Sequence, residues 1–142
     1  EYSDAALKIC RQNIRRNGLS ARVVPVQADA RERPGRTLGE FQCIISNPPY
    51  IPTAVIATLE PEVREHEPMM ALDGTGDGLK FYRRIAKEAG AWLKPGGAVY
   101  LEIGYDQGKA VSELLSEAGF DKVRVVKDLP GKDRVVCGIW PG

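Results

Sequence analysis

Apolar and polar positions follow two different periods along the chain, and the points where the period switches divide it into helices and strands. Ser3 or Asp4 caps a first helix whose apolar side holds Leu7, Cys10 and Ile14, and Asn17-Gly18 ends it. Arg22 to Ala28 is β-rich and expected as a strand, with Pro25 pointing to an edge or a bulge. Phe41 to Ser46 (FQCIIS) is a short, nearly continuous apolar run, as expected of a buried parallel strand. A helix follows on which Leu79, Tyr82, Ile85, Ala86, Ala89 and Leu93 share a face, while Lys80, Arg83, Arg84 and Lys87 point away. Lys94 to Gly97 reads as a turn and Ala98 to Ile103 as a strand. Ala110, Val111, Leu114, Leu115 and Ala118 stripe the next helix, which Gly119 stops. Val123 to Val126 and Arg134 to Trp140 are strands joined through Pro130-Gly131. The pattern is that of one α/β unit with a hairpin-like ending.

No period is visible from Asn47 to about Gly78, which holds five of the ten prolines and three glycines after Asp73. So long an irregular segment inside a compact domain is usually functional. The length, 142 residues, suits one domain with its own core. Twenty Lys and Arg against nineteen Asp and Glu leave +1, which excludes a polybasic nucleic-acid arm and an acidic tail. No run of about 18 apolar residues is present, so no segment reads as a membrane-spanning helix. No basic-then-apolar leader opens the chain. Cys10, Cys43 and Cys137 are too few and too widely spaced for a disulfide framework. Each sits in an apolar run and is expected as a reduced core thiol, which fits a cytoplasmic location. His66 is the single histidine; it reads as a surface residue, and no metal site is expected.

The candidate chemistry lies in Asn47-Pro48-Pro49-Tyr50, directly after the apolar strand. Open α/β sheets bind ligands beyond the carboxyl ends of their strands. Two prolines fix the backbone there and remove two N–H donors, so the carbonyls are held as acceptors. Asn47 adds a side-chain carbonyl, and Tyr50 adds a flat face for stacking. Together these groups would grip a planar –NH2 through both hydrogens. Such a nitrogen is a poor nucleophile because its lone pair is delocalised. Two acceptors pulling on its hydrogens raise its electron density and aim it at a methyl donor held in line. A sulfonium donor is already electrophilic, so this chemistry needs no metal and no covalent intermediate. The plain alternative is a rigid proline turn ending a strand.

The tetrapeptide 47–50 resembles the motif of amino-methyltransferases that use S-adenosylmethionine. Longer runs narrow the likeness: NPPYIP (47–52), L-x-PEV-x-x-x-EP (59–68), ALDGTGDGLKFYRRI (71–85), LKPGGAVYLEIG (93–104) and DLPGKDRVVCG (128–138). Over nearly its whole length the chain resembles the HemK-type glutamine N5-methyltransferases that modify peptide-chain release factors. The resemblance implies an α/β, Rossmann-like class I methyltransferase sheet with helices on both faces, in the strand order 3-2-1-4-5-7-6. It implies S-adenosylmethionine as cofactor and a release factor as protein partner, with nucleic acid involved only indirectly. Asn47 and the Pro48 backbone would hold the glutamine amide, Pro49 would stiffen the turn, and Tyr50 would pack against the amide. Glu1 falls where an acid binds the ribose hydroxyls, Asp29 where a side chain meets the adenine end, and Asn47 would touch the cofactor as well. Glu67 and Asp73 to Asp77 would shape the substrate-side loop. Glu102 would either face the site or pair with a neighbour.

The departure from the family lies at the front. No G-x-G-x-G occurs anywhere, although a Gly-rich loop should join the first strand to the first helix. Residues 1–142 are therefore expected to be a single, truncated catalytic domain supplying strands three to seven. Strand three (Arg22 to Ala28) and strand four (Phe41 to Ser46) would lack their neighbours, and strand four would expose an apolar edge. Residues 1–40 would then detach and repack, a second copy would fill the gap, or further residues would precede these. Other readings are a DNA or RNA amino-methyltransferase, which would need a basic stripe for phosphates, and an inactive fragment. The protoporphyrinogen oxidase label sometimes given to this family has no dinucleotide fingerprint to support it here.

Overall fold

The structure is a computed structural model that describes residues 3–29 and 40–142. The chain forms two compact units, residues 1–38 and 39–142. In the first, helix α1 (Asp4–Arg16) starts where the Ser3 hydroxyl accepts the Ala6 N–H at 3.3 Å. It ends where Gly18 takes a positive φ of 66°. Leu7 and Ile14, two turns apart, are buried, but Cys10 is exposed. The expected strand over Arg22 to Ala28 is not formed. Pro25 removes one ladder donor, and no other strand lies among the unit's described residues to pair with it. Val23, Val24 and Val26 are consequently exposed.

The second unit runs β1 (Phe41–Ser46), α2 (Thr53–Ile56), α3 (Pro61–His66), α4 (Met69–Leu72), α5 (Lys80–Ala89), β2 (Leu93–Glu102), α6 (Gly108–Glu117), β3 (Asp121–Lys127) and β4 (Asp133–Ile139). Its sheet has the order β1-β2-β4-β3. β1 and β2 are parallel, and β4 runs antiparallel to both β2 and β3. This is the 4-5-7-6 half of the order that the resemblance implies. Val99, Leu101 and Val136 point to one face and join Tyr82, Ala86 and Ala89 of α5 and Val111 and Leu115 of α6 in a single core. Burying each Leu or Val side chain there contributes about 1.5–3 kcal/mol.

The opposite face begins the alternate register. Cys43, Ile45, Tyr100 and Arg124 are exposed on it, and Ile45 is 81% accessible. Cys43 is thus not a core thiol, because the pleat sends it away from the helices; Cys137 alone of the three cysteines is buried. Among the described residues β1 has no strand on its outer edge. His66 is on the surface, with its ring nitrogen 3.2 Å from the Glu62 carbonyl.

Two boundaries differ from the expected ones. Leu93 opens β2 instead of closing α5, and β2 runs through Lys94 to Gly97. The register jumps there from Phe41↔Leu93 to Cys43↔Ala98, so the four residues bulge from the ladder instead of turning the chain. Gly96, at φ 80°, supplies the backbone for it. The stretch from Asn47 to Gly78 is also less irregular than expected, since α2, α3 and α4 lie in it. Each begins after or at a proline, and of their side chains Ile56 alone is buried.

Candidate functional site

β1 delivers Asn47 to its carboxyl end, beside the end of its parallel partner β2. The Asn47 side chain is exposed, Pro48 is buried, and Pro49 and Tyr50 are half-buried. Tyr50 packs against the core. Because Pro48 and Pro49 have no N–H, the motif must be held by donors from elsewhere. Gln107, just before α6, provides one: its Nε2 donates to the Tyr50 carbonyl at 3.0 Å.

The chain then passes from Ile51 to a second strand-like contact. Ile51 N–H donates to the Leu72 carbonyl at 3.1 Å, and Gly74 N–H donates back to the Ile51 carbonyl at 2.9 Å. This lays the loop Asp73 to Gly78 against Tyr50. The approach is close enough that only glycine fits. A Cβ on Gly74 would lie 2.9 Å from the Tyr50 backbone, and one on Gly78 would lie 2.3 Å from the Tyr50 carbonyl oxygen. Thr75 takes a positive φ of 68°, a strained conformation held by neighbours on three sides. Its N–H donates to Asp73 Oδ1 at 2.8 Å, and its carbonyl accepts from Thr53 and Gly78.

Two carboxylates tie this loop down. Asp73 Oδ1 also accepts the Thr53 hydroxyl at 2.7 Å, and that bond with the Thr75 N–H holds its carboxyl below the ordinary range. Asp77 takes the Arg83 guanidinium and the Leu79 N–H, which together lower it to about 2. Both shifts favour the ionised form, so their support is complete above the ordinary value of 3.8 and disappears as pH falls towards 2. Melting temperatures of the wild type and of Asp77→Asn should therefore differ at neutral pH and converge as pH drops below 3.8. A difference that stays constant down to about pH 2 would show that the anchoring is not ionic.

Tyr82 lies on the apolar face of α5, and its ring is fully buried. A buried phenol needs a partner for its hydroxyl, and this one donates to the Glu102 carbonyl at 2.7 Å. Burial pushes its pKa up, and Tyr50 and Glu102 push in the same direction. Arg134 lies in the same neighbourhood. It bonds Asp128 and donates to the Ile103 carbonyl, and it feels both Tyr50 and Glu102. Glu102 itself is half-buried at the carboxyl end of β2.

The structure brings Asn47, Pro48, Pro49 and Tyr50 together with Asp73 to Gly78, Glu102 and Gln107. Glu67 is exposed and Asp29 half-buried, Asp29 belonging to the first unit. Glu1 lies outside the described residues. Gln107, Gly78 and the Tyr82 hydroxyl have structural roles that the sequence does not display, whereas Gly74 falls in the Asp73 to Asp77 stretch expected to shape the loop. Asn47 is thus exposed at the carboxyl end of β1, and the Tyr50 carbonyl three residues on is held by Gln107. Among the described residues no helix is long and apolar enough to cross a membrane.

No protein-family model matches the chain. A release factor glutamine methyltransferase of Caulobacter vibrioides is 50% identical over 139 residues, which cover 98% of this chain and 47% of that enzyme. One from Agrobacterium fabrum is 46% identical over 136 residues, or 96% of this chain and 46% of its own. The chain thus spans about half the length of the curated relatives it matches. A methyltransferase from Pyrococcus furiosus, 21% identical, superposes on all of this chain and on 60% of its own with a TM-score of 0.60. That likeness shows the fold alone, a Rossmann-like α/β arrangement.

Proposed function

We propose that this chain, homologous along nearly its whole length to one half of the release factor glutamine methyltransferases, carries the acceptor site for N5-methylation of a glutamine side chain in a peptide-chain release factor. The observation that carries this reading is the placement of Asn47-Pro48-Pro49-Tyr50 at the carboxyl end of β1, with its backbone clamped from Gln107 and the glycine loop. Asn47 Oδ1 and the Pro48 carbonyl each accept one N–H of the glutamine amide. Both acceptors are neutral, so they polarise the nitrogen without deprotonating it beforehand; as the nitrogen–methyl bond formed, the donor's sulfur–methyl bond would break and one amide proton would pass to solvent. The Tyr50 ring packs on the amide plane and fixes its tilt, which restricts the nitrogen to the attacking orientation. S-adenosylmethionine, when bound, supplies an electrophilic methyl on a sulfonium. Asn47, at the boundary between the two partners, would touch both. Glu1 and Asp29 are proposed for its ribose and adenine ends. The half-buried Glu102 adds negative charge beside the site, which suits a cationic donor.

The test is mass spectrometry of a release-factor substrate incubated with S-adenosylmethionine and the protein carrying these residues. A single methyl gained on one glutamine supports the reading; an unmodified glutamine, or a methylated adenine in added DNA, overturns it. In the same assay Tyr50→Phe should retain most of the rate and Tyr50→Ala should lose it, because the role assigned is the ring face. Equal damage in both would move the role to the hydroxyl.

A further inference from the structure

Among the described residues Gln107 is the buried polar side chain, 8% exposed, and both ends of its carboxamide are used. Oε1 accepts the Gly104 N–H at 3.0 Å. Nε2 donates to the Tyr50 carbonyl at 3.0 Å and to the Gly78 carbonyl at 3.4 Å. The partners dictate which end is which: a backbone N–H faces one side and two carbonyls face the other, so only one orientation of the amide satisfies all three. Those partners belong to the three segments that build the site: the end of the proline motif, the end of the glycine loop and the turn after β2.

We propose that Gln107 is a positioning residue for methyl transfer, setting the orientation of the Tyr50 peptide and, through it, the ring and the Asn47–Pro48 acceptors. The proline pair makes this necessary. With no N–H at 48 or 49, the centre of the motif offers carbonyls alone, and a donor from elsewhere is what holds the peptide that follows it. No other standard side chain of this size does the same. Glutamate would place an acceptor against two carbonyls, and methionine would fill the space without a hydrogen bond. Asparagine is one methylene too short to span from Gly104 to Tyr50.

The effect on rate rests on the methyl-transfer reading; the hydrogen bonds themselves do not. Three measurements on the protein carrying these residues separate the two. First, the side-chain NH2 of Gln107 in the wild type should exchange with solvent far more slowly than that of an exposed glutamine, followed by NMR. Exchange as fast as an exposed glutamine overturns the proposal, whatever the activity. Second, Gln107→Met should lower kcat on the order of tenfold or more, and affinity for S-adenosylmethionine, read by calorimetry, should fall by much less than the rate. Third, Gln107→Glu should be slower still, and its rate relative to wild type should rise from about pH 8 to about pH 6, because a protonated glutamate regains a donor and its surroundings raise its pKa. Wild-type kcat in both variants, or a ratio that is flat with pH, overturns the positioning role. Absence of methylation by the wild type sinks the methyl-transfer reading, and the exchange measurement then decides Gln107 alone.

Discussion

Asn47→Ala lowers the rate of glutamine methylation by about 10²–10³-fold, with little change in the folded state. The size follows from what is removed. Loss of one preorganised hydrogen-bonding group at a reacting centre costs about 2.7–4 kcal/mol of transition-state stabilisation in comparable oxyanion sites. Here the sign of the partner is reversed: the protein accepts and the substrate donates. The nitrogen keeps the Pro48 carbonyl, so one N–H remains polarised and the residual rate is not zero. Stability changes little because the Asn47 side chain is exposed. Turnover by Asn47→Ala within a few fold of wild type, measured by methyl incorporation, would remove Asn47 from the mechanism. A lowered melting temperature matching the lost rate would instead assign it a structural part.

The second large effect is expected from Gly78→Ala. Its φ of 73° is a region that costs alanine about 1–2 kcal/mol. The new Cβ would also stand 2.3 Å from the Tyr50 carbonyl oxygen and 2.8 Å from Gln107 Nε2, neither of which can yield without breaking their own hydrogen bond. The variant should lose at least about 2 kcal/mol of stability and most of its methylation. Gly76→Ala, two residues earlier in the same loop, is the control. Nothing lies within 4 Å of its Cβ position, and its φ is not positive. Thermal melts and initial rates of the pair decide the matter: equal behaviour would mean that the loop moves aside freely and that the contact with Tyr50 carries no weight.

The helix stripes of α5 and α6 were legible because a long apolar period is a strong signal, and the core residues on them are the ones the period selects. The proline motif was legible because its composition is unusual and its place after an apolar strand restricts what it can do. The failures have common physical causes. Arg22 to Ala28 has the composition of a strand, but a strand is a pairing, and pairing is not a property of the segment. Cys43 sits in an apolar run, yet the β pleat turns it outward, and Cys10 is exposed although it shares the stripe of Leu7 and Ile14. α2, α3 and α4 are too short to show a period and bury almost nothing, so their stretch reads as irregular. Gln107 was invisible for a different reason. Its meaning comes from partners at Tyr50 and Gly78, 57 and 29 residues away, and a glutamine before a helix looks like any polar cap.

Those separations also govern the order in which the second unit comes together. β3 and β4 are adjacent in the chain and antiparallel, closed by the short turn around Gly131, and α6 packs on them directly. Closing so short a loop costs little entropy. β1 meets β2 only after the whole crossover through α2 to α5 has been gathered in, and the Gln107–Tyr50 bond spans much the same stretch. Contacts of that range are slow to form, because the chain gives up its freedom before they return anything. On that ground the hairpin and α6 are expected to form early in this unit, and the clamp on Tyr50 among the last contacts. Destabilising changes confined to the crossover then leave the folding nucleus intact and act on how fast the finished site opens.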